Sequence, residues 1–260
     1  MRTIGKCVSL CAASCCVVVP AIAVAADGWA TLKGRFVYDG SPPAVKFLST
    51  SGKDSTVCDK HEIPDESLIV DSASKGIANI VVYPRKVSRV HESQNKPATN
   101  EVEFDQKDCV FLSHVLPLRV DQTLVIKNSD PIGHNTNISP LADTSINPLL
   151  PAGGQLKHKF NREQSLPVPV TCNIHPWMKA YVLARNDSYV AVSAKDGSFE
   201  TTNLPAGEEI EIQVWHEKGA GAGGTLEAKK DWKRGRFKLK LKDGETKDVG
   251  EISVSSRAFK

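Results

Sequence analysis

Residues Thr171 to Val182 read TCNIHPWMKAYV and set a thiol, an imidazole and a thioether at Cys172, His175 and Met178, each three residues after the last. Thiolate, imidazole and a weak thioether together suit copper in both oxidation states, in a trigonal site with one long axial contact. Met178 is the only methionine besides Met1. Spacing alone does not decide the matter, because Cys-x-x-His also occurs as CDKH at Cys58 to His61, where no soft donor follows in Glu62, Ile63 or Pro64. The competing reading of Cys172, His175 and Met178 is packing, since a buried Cys and a core Met are common structural residues.

A second imidazole has to come from elsewhere. His134 lies in VIKNSDPIGHNTNI, in a loop directly after a β-branched run and thirty-eight residues before Cys172. That is enough chain to cross a sandwich and return. Zinc has little use for a thioether, and no second Cys or His pair stands at finger spacing. A binuclear copper centre needs two thiolates in the loop, which holds only Cys172, and a trinuclear cluster needs His-x-His pairs. None occurs among His61, His91, His114, His134, His158, His175 and His216. His114 and His216 stay open as surface copper ligands or as locally hydrogen-bonded residues. No G-x-S-x-G motif or phosphate-binding glycine loop is present.

The elements that must carry these donors read as strands. TLKGRFVY, GIANIVVYP, LRVDQTLVIKN, SYVAVSA, EEIEIQVW, RFKLKLK and EISVSS alternate or are β-branched, and Gly, Pro, Asn and Asp clusters separate them. The expected class is all-β, a sandwich or small barrel, with length enough for two packed β units. The boundaries expected are a leader at 1–26, an N-terminal segment at 27–99, a metal unit at 100–185 and a C-terminal segment at 186–260. The GAGAGG run at 219–224 reads as a flexible joint. RFKLKLK puts Phe237, Leu239 and Leu241 on one face and Arg236, Lys238, Lys240 and Lys242 on the other. It is either a basic docking face or an edge strand guarded by lysines.

With these residues in view, the central stretch resembles the cupredoxins, which implies a Greek-key β-sandwich there beside a second β-sandwich unit from the flanks. In that family a histidine, often followed by asparagine, sits in a loop after a strand, and a Cys…His…Met loop closes the site. The H-P-W-M ending is most similar to the short-loop members related to amicyanin, although Asn173 and Ile174 stand where those loops carry a proline. The resemblance implies one type 1 copper held by His134, Cys172, His175 and Met178, with Asn135 bonding across to the cysteine loop. It also implies an electron port at the exposed edge of His175, framed by Pro176 and Trp177, where a redox partner protein docks. GWATLKGRFVYDGSPP and KDGSFETTNLPAGE resemble the two ends of a carboxypeptidase-regulatory or transthyretin-like sandwich, which leaves one discontinuous domain or two sequential units.

MRTIGK followed by an uncharged apolar run and Ala23-Val24-Ala25 has the layout of a secretory signal peptide, implying a periplasmic or extracellular protein. A retained anchor and a lipidated Cys15 or Cys16 are the alternatives. Loss of Arg2 and Lys6 lowers the formal charge from +3 to +1, which gives no electrostatic reason to expect nucleic acid. Of the seven cysteines, Cys58, Cys109 and Cys172 would remain. If a metal holds Cys172, Cys58 and Cys109 are left to pair in an oxidising compartment. The function expected is one-electron carriage, without enzymatic chemistry. The alternative is a carbohydrate- or cell-surface-binding module in which copper is structural or stored, with Trp29, Trp215 and Trp232 stacking on sugars.

Overall fold

A computed structural model of the chain describes residues 28–260. The expected leader and Cys7, Cys11, Cys15 and Cys16 lie outside them. Among the described residues, helix is confined to short pieces such as Ser55–Cys58 and Glu92–Asn95, and the rest of the regular structure is strand. Among the described residues no helix is long and apolar enough to cross a membrane.

Two pairs of sheets enclose two cores. In the first pair, strand Trp29–Asp39 lies between the antiparallel Ser198–Pro205 and the parallel Thr246–Ser255. Facing it is a sheet ordered Ala191–Val192, Val81–Pro84, Glu209–Trp215 and Arg236–Lys240. Leu32, Phe36, Ile80, Val82, Ile212, Val214 and Ile252 fill the space between. Segments from both ends of the chain therefore share one core, because no one of them carries enough apolar faces to close a sandwich alone.

The second pair uses the residues between. One sheet runs Gln155–His158, Thr123–Asn128, Glu101–Lys107 and Val110–Phe111; the other runs Val115–Arg119, Lys179–Arg185, Val168–Thr171 and Asn137–Ile138. Strand Lys179–Arg185 is buried along almost its whole length. Its alternation explains why: Ala180, Val182 and Ala184 face the core that holds Cys172 and Met178, while Tyr181 and Leu183 face Val81, Tyr83 and Trp215 of the other unit. Strands covered on both faces read as continuous apolar runs, and VVY and AYVLA are such runs.

Three expectations from sequence need correction. The 219–224 run is folded rather than a joint: Gly223 carbonyl accepts from Trp215 Nε1 at 2.7 Å, and Gly224 carbonyl accepts from the His216 amide. Glycine is required there because a Cβ on Gly224 would lie 2.5 Å from Trp215 Nε1. Trp215 and Trp232 are buried, the second stacked on Phe237, so neither offers a face to a sugar. Part of the 27–99 segment leaves the flanking sandwich and packs on the metal unit, where Leu48, Val57, Cys58 and Ile63 meet Cys109, Val110 and Trp177. RFKLKLK forms the edge strand Arg236–Lys240, paired only to Glu209–Trp215, and Lys238 bonds Glu209 at 2.7 Å across it.

A polar knot lies beside the seam between the units. His114 bonds Glu217, and its Nδ1 lies 3.3 Å from Glu66. Glu217 also accepts from Lys179 at 3.2 Å and Tyr181 at 3.3 Å. Burial opposes a charge on His114, but the two carboxylates outweigh it and raise its pKa to about 9. A pKa raised on folding stabilises fully below the unfolded value near 6.5, and that contribution is lost as pH rises through about 9. The gap in unfolding free energy between wild type and His114→Gln is expected to shrink by about 3 kcal/mol from about pH 6 to about pH 10. Urea denaturation across that range measures it.

Candidate metal centre

Strand Val168–Thr171 hands the chain to a seven-residue loop, 172–178, that returns through Lys179–Arg185 with Thr171 opposite Lys179. The loop is closed from within: the Met178 amide donates to the His175 carbonyl at 2.9 Å, and the Cys172 amide to the Met178 carbonyl at 3.3 Å. The tight turn puts Cys172, His175 and Met178 inside, each 1% exposed or less. Met178 packs in the same apolar cluster as Cys172.

His134 arrives from the other side on a short ribbon, His134–Asn135 paired with Leu149–Leu150. The preceding turn is set by Asn128, whose Nδ2 donates to the Ile132 and Leu150 carbonyls at 2.7 and 3.0 Å. His134 Nδ1 lies 2.8 Å from His175 Nδ1, and His175 Nδ1 lies 3.8 Å from Cys172 Sγ. Donor atoms of all three residues fall within 4.8 Å of one another. Two nitrogens sharing a first-row ion at about 2.0 Å each can be at most about 4 Å apart, and a nitrogen and a thiolate at most about 4.3 Å. Both separations meet that test, so His175 can share one ion with His134 and with Cys172. A neighbouring group of Cys109, Asp130 and His134 does not, since Cys109 is held in a disulfide with Cys58.

Fixed polar groups satisfy every side of this buried cluster. Asn135 Oδ1 accepts from the amides of Asn173 at 2.8 Å and Ile174 at 3.2 Å, and lies 3.4 Å from Cys172 Sγ. Asp130 accepts from the amides of Asp108 and Cys109 at 2.7 and 2.9 Å and from His134 Nε2 at 2.7 Å. Asp54 Oδ2 lies 3.2 Å from His175 Nε2. Trp177 Nε1 donates to the Cys109 carbonyl at 3.1 Å. Nothing in the sequence reading pointed to Asp54 or Asp130. Asp130 stands four residues before His134 and was within reach of local inspection, whereas Asp54 is 121 residues from His175.

The electrostatics follow from these partners. Burial disfavours a charged His134, but bonds to Asp130 and Cys172 prevail and hold its pKa at about 9. Burial and then the neighbouring His134 charge push His175 down. Burial works to raise the Cys172 thiol, yet the His134 bond and the surrounding backbone amides bring it below the ordinary value. A ligand-competent thiolate and a neutral imidazole are thus favoured at two of the three positions.

The expected exposed edge of His175 is not found. His175 has no exposed edge, because the Asp54 turn covers it. Exposure passes instead to Pro176 and, in part, Trp177. With Met178, these two residues line a cleft of about 420 Å³ that also contains Leu112, His114 and Glu217. Among the described residues neither His114 nor His216 joins a metal-competent group, and both are engaged elsewhere.

No family model matches the chain, and no curated protein matches it. Solved structures to which the chain is similar include copper proteins. A reduced Cu(I) form of an amicyanin mutant is 17% identical over 35% of this chain and 87% of its own, with a TM-score of 0.30. A Cu-containing nitrite reductase from Thermus scotoductus SA-01 is 20% identical over 39% of this chain and 25% of its own, at 0.30. A purple cupredoxin from Nitrosopumilus maritimus is 21% identical over 32% of this chain and 97% of its own, at 0.27.

Asn135 is the side chain on which the loop's free amides depend. Asn135→Ala leaves two partly buried amide donors without their acceptor and is expected to cost about 1–2 kcal/mol in the metal-free protein. Asn135→Asp keeps the acceptor but loses the Nδ2 bond to Asn147 and buries a charge, so it should recover only part of that loss in chemical denaturation.

Proposed function

We propose that the protein is an exported mononuclear copper protein of type 1 character that carries one electron for a redox partner protein. The observation that carries this reading is the buried convergence of His134 Nδ1, His175 Nδ1 and Cys172 Sγ, in a loop that also buries Met178. Copper, when bound, supplies a one-electron couple. The chain's own residues supply the rest. Cys172 would provide the thiolate, His134 and His175 the imidazoles, and Met178 a weak thioether. The 172–178 turn and the 134–135 ribbon are each pinned by hydrogen bonds, so the donors move little between oxidation states. Burial excludes water from all four side chains.

Export is supported by the leader-like first 26 residues and by the Cys58–Cys109 disulfide, which belongs in an oxidising compartment. By this reading the partner meets the molecule over Pro176 and Trp177, where the metal loop reaches the surface.

Adding Cu(II) to the purified mature protein is expected to give an intense thiolate charge-transfer band with narrow copper hyperfine splitting, absent in Cys172→Ala. A colourless product with full metal uptake would point to zinc-like or adventitious binding and overturn the proposal.

A further inference from the structure

Each of the two imidazoles at the centre turns its outer nitrogen to a carboxylate, Asp130 on His134 at 2.7 Å and Asp54 on His175 at 3.2 Å. The two acids come from different parts of the chain, and each is held at some local cost. Asp54 is the N-cap of the turn Ser55–Cys58, where an aspartate ordinarily accepts from its own helix amides. It makes no such bond, and its backbone sits in the left-handed region at φ 60°. Both local preferences are forgone while the side chain reaches His175. Aspartate tolerates that backbone region better than most residues, so the forgone cap bond is the larger of the two costs. Asp130 is 5% exposed, a burial that carboxylates rarely accept without dedicated partners.

One covalent link serves both acids. Cys58 lies four residues after Asp54, and its amide donates to the Asp54 carbonyl at 3.0 Å. Its disulfide partner Cys109 donates its own amide to Asp130 at 2.9 Å. The Cys109 carbonyl in turn accepts from Trp177 in the metal loop. The disulfide thus ties the turn that covers His175 to the acid that holds His134.

We propose that Asp54 and Asp130 are positioning residues for the metal centre, fixing the Nε2–H form of both rings so that Nδ1 faces the ion, and biasing the site toward the oxidised metal. The inference rests on the copper reading above. A carboxylate on the outer nitrogen fixes ring orientation and makes the imidazole a stronger base. A stronger base and two nearby negative charges favour Cu(II) over Cu(I), which lowers the reduction potential. Asp54 does a second thing that Asp130 does not: its turn closes the edge of His175 to solvent, which leaves the Trp177 side as the nearest surface.

The test compares copper-loaded wild type with Asp54→Asn, Asp54→Ala and Asp130→Asn by voltammetry and visible spectroscopy. Asparagine keeps an acceptor and removes the charge, while alanine removes both. Each asparagine variant is expected to shift the balance toward Cu(I) by about ten- to a hundred-fold. That corresponds to a potential raised by about 60–120 mV for one electron. The thiolate band should persist in all of them. Asp54 is partly exposed, so its variants are expected to fold even if Asp130→Asn does not. Nitrogen-15 NMR of the metal-free protein gives a second readout. The neutral His175 ring should carry its proton on Nε2 in wild type and mix tautomers in Asp54→Ala. Unchanged potentials with an intact band, or an unchanged His175 tautomer, would overturn the inference. A wild type that shows no thiolate band would instead defeat the copper reading, and the tautomer readout would still judge Asp54.

Discussion

Two imidazole nitrogens 2.8 Å apart, both out of reach of water, form the constraint around which the rest of the molecule is organised. Buried polar groups are tolerated only when each has a partner, and a thiol beside them adds a third demand. The outer nitrogens take Asp130 and Asp54, and the thiol takes Asn135. Those partners need support in turn, which comes from the amides of Asp108 and Cys109 on the Asp130 carboxylate, from those of Val57 and Cys58 on the Asp54 backbone carbonyl, and from the disulfide. On the chain-entropy view a link spanning 51 residues stabilises the fold as a whole by about 4 kcal/mol, by constraining the unfolded chain.

The two-unit architecture serves the same end. A sandwich built from residues 101–185 alone would leave the outer face of Lys179–Arg185 bare. The flanking segments cover it, with Tyr181 packed edge-on against Trp215 at 4.7 Å between ring centres. The strand that leaves the metal loop is thereby fixed from both sides. Met178, immediately before it, inherits that rigidity.

How much of this the sequence disclosed depended on the range of each interaction. Cys172, His175 and Met178 were legible because a short turn gathers neighbours whatever the fold around them. His134 was legible because its donor type completed a set. The Cys58–Cys109 link followed from parity once Cys172 was set aside, and the strands followed from alternation. Asp54 was not legible, since nothing local distinguishes an aspartate that caps its own turn from one that reaches across the molecule. The burial of His175 was missed for the same reason, as the cover is a segment more than a hundred residues earlier. Trp215 and the 219–224 glycines were misjudged together, because each is explained only by the other: the ring occupies the space that a Cβ would need.

The central claim is that one buried metal binds Cys172 and both histidines at once. X-ray absorption fine structure at the copper edge tests it most directly. The account predicts one short copper–sulfur distance together with two imidazole scatterers, and loss of the short sulfur in Cys172→Ala. A coordination sphere of nitrogen and oxygen alone, unchanged in that variant, would contradict it.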